Sequence, residues 1–161
     1  MEKWTQGWLA YTPKADMGNG RLVQRTAITG FDKSNGIIAN AVGELVYGIK
    51  KMLDIRMEIT DEEKPENGIL IRRQQEIPEG GWQIKEEHNI LYLLASEETG
   101  VLYGVFHILR QIAMEKTLCG AQLLCAPDNP LRMFNHWDNM DGSIERGYSG
   151  RSFFFRDNKV I

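Results

Sequence analysis

Charge of one sign, histidine, cysteine and long apolar runs are all scarce in this 161-residue chain, and each scarcity removes a class of function. The 22 acidic and 19 basic residues leave a net charge of −3 and are spread along the sequence. No basic stripe exists to track a nucleic-acid backbone, and no basic amphipathic segment exists to lie on a membrane. The opening residues Met1-Glu2-Lys3-Trp4-Thr5-Gln6 hold no apolar run behind a positive charge, so the expected location is the cytoplasm. Histidine occurs at His88, His107 and His136, with no pair at ligand spacing; a metal centre is not expected, nor is a cofactor. Cys119 and Cys125 are separated by five residues, which matches neither a zinc knuckle nor a redox motif; both read as reduced structural thiols. The phosphate-cradling Gly-x-x-x-x-Gly-Lys pattern is missing. A calcium loop beginning at Asp138 fails because Met140 falls where an oxygen ligand is required.

What is present is a normal globular balance, 42% hydrophobic and 25% charged. Trp8-Leu9-Ala10-Tyr11 and Leu22 to Ile28 are short β-rich runs separated by the turn-prone Met17-Gly18-Asn19-Gly20. From Ile37 to Leu53 the apolar residues recur in steps of one, three and four, which predicts an amphipathic helix over 36–53. Ser34 or Asn35 can cap its N-terminus, and Lys50 and Lys51 suit its negative end. Gly43 and Gly48 inside it each cost about 1 kcal/mol relative to alanine, so packing must supply the stability. Asp61 to Gly68 reads as a solvated loop. Ile69-Leu70-Ile71, Trp82-Gln83-Ile84 and Ile90 to Ala95 read as strands, the last apolar on both faces as an interior strand would be. A second helix is predicted over 99–115, with Ser96-Glu97-Glu98-Thr99 supplying a hydroxyl cap and early acids. Gly100 and Gly104 lie four apart, where they let the helix approach a sheet. On its flank, His107 beside Tyr103 and Gln111 reads as a partly buried structural histidine. This order of elements predicts an α/β (α+β) domain, a small mixed sheet with two helices on one face.

Pro127-Asp128-Asn129-Pro130 forbids continuation of helix or ladder and marks a boundary. The expected organisation is a domain over 1–126, a linker over 127–130, and a further segment over 131–161 that opens on a strand at Leu131-Arg132-Met133-Phe134.

The next residues carry chemistry rather than core. Asn135-His136-Trp137-Asp138-Asn139-Met140-Asp141-Gly142-Ser143-Ile144-Glu145-Arg146-Gly147-Tyr148 packs acids, a base, amides and two aromatic rings into a short stretch. A tryptophan beyond a strand end can stack on the apolar face of a sugar, and a guanidinium fork such as that of Arg146 suits a carboxylate. The carboxylates Asp138, Asp141 and Glu145 invite a glycosidase pair, yet Asx residues beside Gly142 also make turns and satisfy loop amides. Loop spacing alone leaves both readings open.

This stretch, together with Thr99-Gly100-Val101-Leu102-Tyr103-Gly104-Val105-Phe106-His107-Ile108-Leu109-Arg110-Gln111 upstream, resembles the family 67 glycoside hydrolases, the α-glucuronidases of xylan degradation. The resemblance implies an N-terminal α/β domain followed by the first strand and loop of a (β/α)8 barrel. It also implies inverting hydrolysis of the α-1,2 bond to (4-O-methyl)glucuronic acid on a xylooligosaccharide. Trp137 is then the sugar platform, with Asp138, Asn139 and Arg146 as further substrate-binding residues. A barrel needs about 250 residues, and the stretch from Leu131 to Ile161 supplies far fewer. The catalytic carboxylates are therefore expected outside this chain, which is expected to be inactive alone, as a fragment or a truncated product. Two alternatives stay open: a stand-alone carbohydrate-binding or scaffold module, and one half of a split enzyme. In the split enzyme Phe153, Phe154 and Phe155 would form the association surface, and a homo-oligomer could cover the same residues.

Overall fold

A computed structural model describes residues 11–129, 131–133, 138–143, 152 and 154–160. The protein divides into two compact units, Leu9–Pro130 and a second that takes in Leu131–Ile161.

The first unit is the expected α/β domain. A turn of 3-10 helix at Gly20–Leu22 leads into β1 (Arg25–Thr29), α1 (Gly36–Leu53), β2 (Glu58–Thr60), β3 (Gly68–Arg73), β4 (Trp82–Glu87), β5 (Ile90–Ala95), α2 (Glu98–Ala113) and β6 (Gln122–Cys125). The sheet runs β2-β1-β3-β5-β4-β6. β1 is parallel to both β2 and β3, and β3 is parallel to β5. β4 is antiparallel to its neighbours β5 and β6.

α1 forms where the periodicity places it because both ends are specified. The Asn35 side chain accepts hydrogen bonds from the backbone N–H of Ile37 (2.8 Å) and Ile38 (3.4 Å), satisfying donors that have no partner inside the helix. At the other end Asp54 takes a left-handed conformation (φ 57°) and pairs with Lys50. The buried stripe Ile38, Ala41, Val42, Leu45, Ile49 and Met52 meets Val101, Val105, Ile108, Leu109 and Ile112 of α2. Both stripes lie over Ile28, Ile69, Ile71, Ile84, Leu91 and Leu93 on one face of the sheet. The opposite face carries a smaller buried cluster of Ala27, Leu70, Ile77, Ile90, Tyr92 and Leu94. β5, with neighbours on both edges, is buried at all six positions, as its two-sided apolar pattern predicts.

The α2 glycines permit close approach. A methyl at Gly100 would collide with the carbonyl oxygen of Gly81, and one at Gly104 with the side chain of Leu93.

Four expectations need correction. β2 and β6 are strands the periodicity does not announce: β2 is a three-residue edge, and β6 is exposed at all four positions, so neither shows alternation. Tyr11 lies outside any strand, and Trp8-Leu9-Ala10 fall outside the described residues. Leu131-Arg132-Met133 carries no strand, and Phe134 is outside the described residues. Glu97, not Ser96, is the N-cap of α2, and its carboxylate makes no capping bond to the helix. The Ser96 carbonyl instead accepts from Arg73 (2.9 Å).

Candidate functional site

The Asx-rich stretch after Leu131 is the segment whose composition points to chemistry, and Asp138 to Ser143, Ser152 and 154–160 of it are described. Asp138 to Ser143 close on themselves. The Asn139 N–H donates to the Ser143 carbonyl (2.9 Å), and the Gly142 N–H donates back to the Asn139 carbonyl (3.0 Å). Gly142 sits at φ 85°, and a Cβ there would come within 3.0 Å of the Phe155 carbonyl oxygen. The positive φ favours glycine, and the close carbonyl adds to that preference.

Side chains complete the turn. Asp141 Oδ1 accepts from the Ser143 N–H (2.8 Å) and Ser143 Oγ–H (2.6 Å), while Asn139 Nδ2 donates to Ser143 Oγ (3.0 Å). These bonds hold the Asp141 carboxyl below the usual carboxylate range, because they stabilise the charged form. A general acid needs the opposite shift.

Asp138 is half-buried and has a different task. Its Oδ2 accepts the hydroxyl proton of Ser152 at 2.6 Å. Ser152 is buried, and its Oγ accepts from the N–H groups of Phe154 and Phe155 (3.0 Å each). The Ser152 N–H in turn donates to the Gly142 carbonyl (3.2 Å). Ser152 thus ties Asp138 and Gly142 to β7 (Phe155–Arg156). β7 pairs antiparallel with β8 (Lys159–Val160) across Asp157-Asn158, both at positive φ, a turn conformation that Asp and Asn tolerate well.

Of the four sequence-predicted substrate-binding residues, Asp138 and Asn139 are brought together in this loop; Trp137 and Arg146 lie outside the described residues, as does Glu145. Sequence reasoning did not single out Ser152 or Ser143, the two hydroxyls that organise the loop. A serine fourteen residues from its aspartate partner leaves no local signal. Among the described residues no cluster of three His, Cys, Asp or Glu side chains could hold a metal ion, and no helix is long and apolar enough to cross a membrane. In the first unit, His107 is a packing residue: its ring lies 4.5 Å from that of Trp82, and it hydrogen-bonds Gln111 (3.1 Å).

Comparison with known proteins finds two family matches that follow one another along the chain. Residues 7–108 match the model of the glycosyl hydrolase family 67 N-terminus, and residues 111–161 match that of the family 67 middle domain. β6 therefore falls in the middle-domain match although it pairs with β4 in the first unit. "Probable alpha-glucuronidase A" of Aspergillus terreus is 30% identical over 99% of this chain and 21% of its own length. "Alpha-glucuronidase A" of Aspergillus tubingensis is 39% identical over 52% of this chain and 10% of its own length. The chain thus spans about a fifth of the length of relatives that it matches nearly end to end. A solved GH138 enzyme targeting pectin rhamnogalacturonan II shares the fold, with a TM-score of 0.51 at 16% identity over 65% of this chain and 12% of that one.

Proposed function

The chain belongs to glycosyl hydrolase family 67, and from that premise we propose that it is the N-terminal region of an α-glucuronidase. The whole enzyme removes α-1,2-linked (4-O-methyl)glucuronic acid from xylooligosaccharides with inversion. In this reading Leu9–Pro130 is the accessory α/β domain, and Leu131–Ile161 begins the catalytic barrel. The single observation that carries it is the match of both family segments, in order, along one chain whose relatives bear the name α-glucuronidase.

These residues supply scaffold and sugar contact, and the reacting carboxylates come from elsewhere in the enzyme. Inversion needs an acid and a base about 6.5–9.5 Å apart around a water. Asp141 and Asp138 are instead engaged with Ser143 and Ser152. Their task is to fix the loop that follows Trp137, which offers its ring to the uronic acid, while Arg146 pairs with the uronate and Asn139 with a hydroxyl. The free thiols Cys119 and Cys125 suit a reducing, cytoplasmic setting.

The test compares the 161-residue protein with one extended to the length of its relatives, both incubated with aldouronic oligosaccharides. Glucuronic acid should be released by the extended protein alone, and in that background Trp137→Ala should weaken sugar binding by about 1 kcal/mol or more. Release by the 161 residues alone, lost on Asp138→Asn, would overturn the assignment of chemistry to later residues. An extended protein inactive on every uronic acid conjugate would overturn the substrate.

A further inference from the structure

We propose that Asn67 is a self-modification site, at which the protein converts Asn67–Gly68 to aspartyl and isoaspartyl linkages with water as the only co-reactant. Three Asn-Gly pairs occur, at Asn19-Gly20, Asn35-Gly36 and Asn67-Gly68. In each, the glycine nitrogen has no neighbouring Cβ to hinder its attack on the asparagine Cγ. A bond forms from that nitrogen to Cγ, and the bond between Cγ and the carboxamide nitrogen Nδ2 breaks. The proton of the glycine nitrogen leaves with Nδ2 as ammonia, and a five-membered imide remains. Water opens the imide at either carbonyl, giving aspartate or the β-linked isomer.

The fold treats the three pairs differently. Asn19 is fully buried, with Oδ1 accepting from the Leu118 N–H (2.7 Å) and Nδ2 donating to the Lys116 carbonyl (3.0 Å). The Gly20 nitrogen is committed as well, donating to the Asp16 carboxylate. Asn35 is held as the cap of α1 by the N–H groups of Ile37 and Ile38. Asn67 is exposed in the polar loop before β3, and its carboxamide has no hydrogen-bond partner among the described residues. The restraint there is the Gly68 N–H bond to the Asn89 carbonyl, long at 3.2 Å and at the first position of the strand. Strand ends open at low free-energy cost, whereas releasing Asn19 or Asn35 requires breaking a buried tie or a helix cap.

The product falls at a sensitive point. Gly68 has φ 125° and packs so closely on the Arg25 carbonyl that a Cβ there would collide with it. Isoaspartate adds a backbone carbon immediately before this contact, where β3 enters its pairing with β1 at Thr26↔Ile69.

The intact protein, incubated at neutral to mildly alkaline pH and sampled over time, is digested and mapped by mass spectrometry for exchange of ammonia for water. Asn67 should convert about tenfold or more faster than Asn19 and Asn35, and in urea the three rates should converge. Asn67→Gln should remove the leading product and leave the other two rates unchanged. An intact Asn67 in a sample whose urea control converts would overturn the proposal. So would conversion of Asn19 or Asn35 in the folded protein at the rate of Asn67.

Discussion

Arg73 at the end of β3 reaches Glu98 in the first turn of α2, its Nη2 donating to Glu98 Oε1 at 2.6 Å. The same guanidinium donates to the carbonyls of Gly30 (2.8 Å) and Ser96 (2.9 Å) and lies 4.4 Å over the Phe31 ring. One side chain thereby joins the loops that follow β1 and β5. Arg73 thus spends its donors on protein, tying the end of β3 to the start of α2.

Arg73→Ala should therefore destabilise the domain by about 1–2 kcal/mol, since it removes the donors of one part-buried carbonyl and a partly buried carboxylate. Both side chains of the pair are about one-third exposed or less, so solvent screening keeps the pair's own share below that total. Arg73→Lys should recover less than half, because an ammonium cannot span three acceptors. Urea titration followed by tryptophan fluorescence gives the midpoints, and a shared wild-type midpoint would dismiss the clamp.

Gly43 of α1 and Gly100 of α2 should respond to alanine with opposite signs. A Cβ at Gly43 meets nothing within 4 Å, so Gly43→Ala should stabilise by about 0.5–1 kcal/mol through helix propensity. At Gly100 the added methyl meets the Gly81 carbonyl and the Ala95 Cβ, which lie on the β4 approach and β5. Backbone must move, and the loss should reach about 1–3 kcal/mol. Thermal denaturation of the two variants decides the matter. A stabilised Gly100→Ala would mean that α2 does not sit so close to the sheet.

Much of this was legible in the sequence because local and global signals agreed. α1 spans the predicted 36–53, where cap, stripe and terminal charges coincide, and α2 lies within two residues of its prediction at each end. The misses share a cause: their signal is non-local. β6 presents Leu123 and Leu124 to solvent on an edge strand and is a strand because β4 pairs with it. Ser96 gave way as a cap to Glu97 while its carbonyl was taken by Arg73, twenty-three residues away. Asn19 reads as a turn residue, yet it is buried and ties its loop to Lys116 and Leu118, roughly a hundred positions on. In the Asx-rich stretch the residue types told of a hydrogen-bonded loop but not that Ser152 would be its anchor.

His107 gives the fold a pH dependence. Burial foremost, then the nearby charges of Arg110 and Lys116, lower its pKa below the ordinary 6.5. Gln111 Nε2 lies 3.1 Å from His107 Nε2, and because an amide nitrogen can only donate, the bond is made to a ring whose Nε2 is unprotonated. Well above pH 6.5 both folded and unfolded states hold a neutral ring, and the stability is complete. As pH falls below that value the unfolded state binds the proton first, so stability declines until the folded ring also titrates. The aspartates whose pKa values are lowered titrate in a more acidic range. Urea midpoints should thus fall between about pH 7 and pH 5.5, and His107→Gln should flatten that interval. An unchanged slope in the variant would assign the effect to other groups.

Limited trypsin digestion should separate the two compact units before it opens the first. Ala126 to Asn129 carries no regular element and lies between units that cluster independently, with Arg132 exposed just beyond it. A protease must draw several residues of extended backbone into its cleft, which costs little where no ladder or helix has to break. Within the first unit Arg73 and Arg110 sit in β3 and α2, and cleavage there requires opening the sheet or the helix pair. The earliest product should be a fragment ending at Arg132 that retains the far-ultraviolet circular dichroism of an α/β domain. First cuts at Arg73 or Arg110 would show that the sheet and its two helices open more readily than the stretch from Ala126 to Arg132.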